Sequence, residues 1–162
     1  MNHVERHIHS LRTARRMTLG LLRQIEGSQW LFQIVPGGQH ALWIAGHLAV
    51  ADDWGLRSVG VERRFLEEFE GVFGGSAPIT GDAGAYPEVS EVLRCMEEAH
   101  ARFIGALASV TEADLARESA GAISAYAPDL GTLLSAHVWH EGFHTGQLAL
   151  IRRGLGLPVC FG

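Results

Sequence analysis

The chain has 162 residues, 47% of them hydrophobic, and a net charge of -5 from 13 Lys and Arg against 18 Asp and Glu. That size suits a single domain over residues 1–162, which buries about 70% of its unfolded surface without disulfides or a structural metal. The acidic balance argues against a nucleic-acid partner, whose phosphates call for clustered Lys and Arg. No apolar run approaches the roughly 20 residues of a membrane span.

Taken in chain order, the N-terminus places His3, Glu5, Arg6, His7 and His9 together, with no apolar stretch of a secretory signal. Cys95 and Cys160 have no metal or redox spacing, and two free thiols fit a cytoplasmic protein. The first helix is expected over residues 3–26, with Leu11, Thr18, Leu21, Leu22 and Ile25 inward and Gly27-Ser28 as the stop. Arg12, Arg15, Arg16 and Arg23 read as its solvated face beside an apolar stripe. A loop over 29–38 follows, then a second helix over 39–58 with Ile44, His47, Leu48, Ala51 and Trp54 on one face. Residues 60–86 are too many for a simple turn; we expect a short helix over 62–69 and a flexible Gly-rich stretch over 71–85. The third helix is expected over 87–110, with Val92, Met96, His100, Phe103 and Leu107 inward. Thr111 is expected to cap a short helical turn and Asp129 to cap a fourth helix ending at Gly154.

In that last helix Leu130, Leu133, His137, His140, His144, Gln147 and Ile151 recur at steps of three and four, so imidazoles occupy an apolar seam. His140 and His144 lie roughly 6 Å apart along the axis and suit one divalent ion, whereas His137 and His144, roughly 10 Å apart, do not. The string His140-Glu141-Gly142-Phe143-His144 also matches the H-E-x-x-H of zinc peptidases. Such enzymes need a ligand further on, and residues 145–162 contain no Asp, Glu or His. The third ligand is therefore expected from another helix, and His47, on an inward face at mid-helix, is the candidate. Around the trio, His137 is expected to line the pocket or support a ligand. Glu141, turned by about 100° from His140, is expected either to orient an imidazole or to form an ion pair. Gln147 is expected to hydrogen-bond near the site, and His100 to be a hydrogen-bonded core histidine that can approach the metal. Asp52 and Asp53 are weak candidates for a base. Trp43, Trp54, Trp139 and Phe143 are expected to pack the core or wall the pocket.

The segments Trp43-Ile44-Ala45-Gly46-His47-Leu48 and His137 through Leu148, closing with Arg152-Arg153-Gly154-Leu155-Gly156, resemble the DinB/YfiT-like family of metalloenzymes across nearly the whole chain. The resemblance implies an all-α four-helix bundle, down-up-up-down, with a long crossover between helices two and three. It also implies one divalent metal ion on His47, His140 and His144 and, together with the apolar stripe and arginine face of the first helix, a homodimer. Many members carry Arg where this chain has Thr145, which leaves the ligands intact. Three ligands with an open position is the pattern of a catalytic site, and all-histidine ligation leaves a 2+ charge that favours an anionic partner. Some members are thiol S-transferases or thiol-dependent isomerases. We therefore expect transfer of a low-molecular-weight thiol to an electrophilic small molecule through a metal-bound thiolate. A hydrolase using metal-bound hydroxide, or a non-enzymatic metal-binding bundle, are the alternatives. Zinc is the default ion, with nickel, iron or copper compatible with imidazole. The apo bundle is expected to stay folded, and metal binding to fade as pH falls through about 6.5.

Overall fold

The computed structural model describes residues 1–62, 67–119 and 121–160, and among these it contains helices and turns but no strand. Helix α1 spans His3–Leu22 and opens with a capping box in which Asn2 accepts from the Glu5 amide and the Glu5 side chain accepts from the Asn2 amide. It ends short of the expected residue 26, because Gly27 adopts φ 51° and begins a 3-10 turn over Gly27–Leu31 in place of a simple loop. Helix α2 spans Ala41–Ser58 and is capped by a histidine, since His40 Nδ1 accepts from the Trp43 amide. Helix α3 spans Glu67–Phe73. The helix expected over 62–69 falls partly on residues 63–66, outside the described residues.

The stretch expected to be flexible over 71–85 is built otherwise. It completes α3 and then turns through Ala83–Ala85, where the Thr80 amide donates to Tyr86 Oη and that hydroxyl donates back to the Thr80 carbonyl. Helix α4 spans Val89–Leu107 and helix α5 spans Leu130–Gly154. Asp129 caps α5 by accepting from the Thr132 amide, and Thr111 Oγ1 accepts from the Asp114 amide ahead of the short turn over Ala113–Ala116.

Contacts between helices set their directions. Arg15 meets Glu141 and Thr18 meets Thr145, so α1 and α5 run the same way. Asp52 meets His100 and Gly55 abuts Phe103, so α2 and α4 run the same way. Gly55 also approaches His137, whereas His47 meets His140 and His144, so α2 and α5 run in opposite directions.

The core falls into two apolar clusters. One gathers Leu21, Ile44, Leu48, Phe73, Met96 and Leu148; the other gathers Leu11, Leu56, Phe103, Leu107, Leu130 and Leu134. Between them, on each long helix, a polar side chain interrupts the stripe: Arg15, Asp52, His100 and Glu141. This corrects the expected solvated arginine face, since Arg15 is only 3% exposed. Three aromatic residues expected inward are at the surface, with Trp54 43%, Trp139 68% and Phe143 50% exposed.

Candidate metal centre

Two helices bring the imidazoles together. On α2, Trp43 and His47 are one turn apart and their rings stack, with centroids 4.6 Å apart and an 11° interplanar angle. On α5, His140 and His144 are one turn apart with centroids at 4.5 Å. Across the interface His140 Nε2 lies 3.1 Å from His47 Nε2 and 3.1 Å from His144 Nε2, and one nitrogen from each ring falls within 4.8 Å of the other two. His144 is buried, and His47 and His140 are half-buried.

The outward nitrogens of two rings are already engaged. His47 Nδ1 donates to the Phe73 carbonyl at 2.8 Å, and His144 Nδ1 donates to Gln147 Oε1 at 2.7 Å. These acceptors assign the Nδ1–H tautomer to both rings, which turns a bare Nε2 lone pair inward from each. Nitrogens sharing one tetrahedral zinc, each about 2.0–2.1 Å from it, sit about 3.3 Å apart. The 3.1 Å separations are close to that, and the outer hydrogen bonds are the kind that orient metal-bound imidazoles. The donor set therefore fits a divalent cation.

The Phe73 contact depends on a glycine. A Cβ at Gly46 would lie 2.4 Å from the Phe73 ring, so only a residue without one lets the end of α3 rest on α2 and aim its carbonyl at His47. Gly46→Ala is expected to displace Phe73, to cost about 1–3 kcal/mol through overpacking, and to lower metal affinity about 10–100-fold through the lost acceptor. Metal titration beside urea denaturation separates the two effects; unchanged affinity in a destabilised variant would show that the carbonyl does not set the His47 ring.

Burial, followed by the neighbouring imidazoles, pushes the His140 pKa down to about 3 and, with His47 nearby, the His144 pKa down to about 4; burial also lowers that of His47. All three rings are therefore neutral at pH 7. An unfolded chain takes up these protons below about 6.5 while the folded chain does not. Stability from these groups is thus complete above about 6.5 and declines as pH falls toward 4 and 3. Metal binding follows the folded values instead. With His140 at about 3, His144 at about 4 and His47 below its usual value, it is expected to weaken at a lower pH than free histidine would allow. Equilibrium dialysis at pH 7, 6, 5 and 3.5 measures this, and loss already at pH 6 would place the rings in a solvated setting.

The other candidates fall into the polar layer next to this cluster. Arg15 donates from Nε and Nη2 to the two oxygens of Glu141, both at 2.8 Å, from Nη2 to Asp52 Oδ2 at 3.0 Å, and from Nη1 to the Met96 carbonyl at 3.0 Å. Burial alone would lower the Arg15 pKa, but Asp52 and Glu141 hold it above its usual value. Burial works to raise the Asp52 pKa, yet Arg15 and His100 hold it below the usual carboxylate range. Glu141 is thus an interhelical ion-pair partner, with both carboxylate oxygens taken by Arg15. His100 Nδ1 bonds Asp52 Oδ2 at 3.0 Å. His137 packs its ring on Phe103 at 4.9 Å, and burial lowers its pKa. Asp53 is fully buried, 4.0 Å from Arg102. Trp43 stands behind His47, whereas Trp139 and Phe143 stack on each other at 5.5 Å on the exposed side of α5.

Sequence reasoning missed the Phe73 carbonyl, Gly46 and Arg15. Of these only Arg15 left a signal, since Leu11, Arg15, Thr18 and Leu22 follow the inward spacing of α1.

Comparison with known proteins adds one match. A family model described as the DinB superfamily covers residues 10–148, which takes in all three imidazoles and the whole Arg15 layer. No curated protein matches the chain.

Proposed function

The chain belongs to the DinB superfamily, and from that membership we propose that it is a metal-dependent enzyme transferring a small thiol to an electrophilic small molecule. The observation that carries this reading is the convergence of three neutral imidazoles, His47, His140 and His144, with no carboxylate among them. A divalent cation there, with zinc as the default, would lower the pKa of a thiol and hold its sulfur near the imidazoles. The uncompensated 2+ charge favours an anionic sulfur over a neutral ligand. The chain's own part is to keep the rings unprotonated and oriented, through the Phe73 carbonyl and Gln147, and to back His47 with Trp43. In the reaction the sulfur forms a bond to the electrophilic carbon, and the leaving group departs with the bonding electrons while the thiol proton is released.

Elemental analysis followed by a conjugation assay tests this. Purified protein is incubated with glutathione or cysteine and 1-chloro-2,4-dinitrobenzene, and the coloured thioether is followed. We expect a rate that needs both protein and thiol, disappears on chelation and returns with added zinc. Full metal content with no rate for a panel of thiols and electrophiles would overturn the thiol reading, and metal-dependent ester cleavage without thiol would replace it with hydrolysis.

A further inference from the structure

The opening turns of α1 carry a second pair of imidazoles at ligand spacing. His3 and His7 are four residues apart, as His140 and His144 are, so they share one helical face roughly 6 Å apart along the axis. Both line a cleft of about 840 Å³ between the first halves of α1 and α5, and Glu112, in the turn after α4, lines it with them. His7 lies eight residues before Arg15, about 12 Å along α1 from the polar layer, so this group is separate from the trio.

Glu112 is already placed as a third donor. Its Oε1 accepts from the His3 and Val4 amides, which fixes the carboxylate across the start of α1, and its Oε2 stands 3.0 Å from His3 Nδ1. Two donors each about 2.0–2.2 Å from one zinc ion stand about 3.0–3.5 Å apart, so an ion fits this contact once the imidazole carries its proton on Nε2 instead. Burial, followed by His3, lowers the His7 pKa while Glu112 raises it, so His7 is a neutral ring within the field of both. Desolvation works to raise the Glu112 pKa, yet the His3 and Val4 amides hold it below the usual carboxylate range. An ionised carboxylate is the donor this end of the helix needs, because the positive end of the α1 dipole opposes a cation.

We propose that His3, His7 and Glu112 form a second divalent-cation site, which takes zinc or another ion suited to imidazole, with water from the open cleft completing its coordination. Closure takes a rotation of the His7 side chain, whose ring has no hydrogen-bond partner among the described residues to hold it back. The ion ties the first turn of α1 to the turn that leads from α4 toward α5, reinforcing the link made through the Glu112 carboxylate. This site stands apart from the reading of the trio as a reaction centre and needs nothing from it.

The test uses the full chain stripped of metal and carrying His140→Ala and His144→Ala, so that the trio is disabled. Zinc is added while the Cε1–H signals of the histidines are followed by NMR. Saturating changes are expected at His3 and His7, with His9, exposed on the same helix, unmoved. In that background His7→Gln is expected to abolish the change at His3. Glu112→Gln, which keeps an acceptor for the two amides and removes the charge, is expected to weaken binding at least about tenfold. Both should leave the helical circular dichroism unchanged. A second measurement needs no change to the trio: equilibrium dialysis of the otherwise native chain is expected to find one zinc fewer in His7→Gln than in the parent, whatever the trio holds. Equal changes at His3, His7 and His9, a His3 signal that still moves in His7→Gln, or the same zinc content in His7→Gln and parent would each overturn the proposal.

Discussion

Replacing Arg15 with methionine is expected to destabilise the protein by about 3–5 kcal/mol, the cost of breaking a buried ion pair from one side. Against a typical total of about 5–15 kcal/mol, that leaves a marginal fold. The reason is the partners left behind. Arg15 reaches α5 through Glu141, α2 through Asp52 and α4 through the Met96 carbonyl, and both carboxylates are almost fully buried. Without the guanidinium Glu141 loses its ion-pair partner and Asp52 keeps only its bond to His100, so two buried carboxylates are left short of positive charge. The triple variant Arg15→Met, Asp52→Asn, Glu141→Gln buries no charge and is expected to recover part of the loss, a non-additivity of the kind seen within one network.

The pH dependence gives a second reading. In the native protein Asp52 has its pKa held down, so its contribution is present above its unfolded value near 3.9 and is lost as pH falls through the lower folded one. In Arg15→Met the buried Asp52 carboxyl loses its main counter-charge and is expected above its usual range, so acidification from pH 7 to 5 favours its protonation and relieves part of the defect. The gap between variant and native midpoints in urea should therefore narrow at pH 5. A gap below about 1 kcal/mol at pH 7 would mean that the layer is already hydrated.

How much of this was legible follows from what each residue type signals. The helices α1, α2, α4 and α5 were readable because their apolar stripes repeat every three or four residues. The imidazole trio was readable because histidine is conspicuous on such a stripe. Arg15 lies on its stripe too, but it was grouped with Arg12 and Arg16, and charged residues are rarely buried unless paired. Its partners Asp52 and Glu141 are 37 and 126 positions away, so nothing local announced the pairing. Trp139 and Phe143 were expected to pack the core or wall the pocket because they flank His140 and His144. Each precedes a ring of the trio by one residue and so is rotated about 100° from it, while Glu141 and Thr145, one residue after, are rotated the other way and meet α1. With α2 and α1 occupying those two directions, the side bearing Trp139 and Phe143 faces solvent. The Phe73 carbonyl is a backbone atom, and no residue type marks it.

Removing any one imidazole of the trio is expected to lower metal affinity by well over 100-fold, beyond the roughly 10–100-fold loss expected for an orienting partner such as Gln147→Ala. His47, His140 and His144 each supply one inward nitrogen, and among the described residues no other His, Cys, Asp or Glu joins their group. His137→Ala is the control, because that ring packs on Phe103 among the polar layer and should change stability while leaving metal content intact. The fold itself is expected not to need the ion, since the two apolar clusters are built from other residues. Chelated protein should keep its helical circular dichroism and lose only the binding increment, about 2.7 kcal/mol when free metal is 100 times its dissociation constant. Full metal content in His144→Ala would sink the ligand assignment. Collapse of the helical signal on chelation would instead make the ion a folding element, and the proposal of an open catalytic position would lose its support.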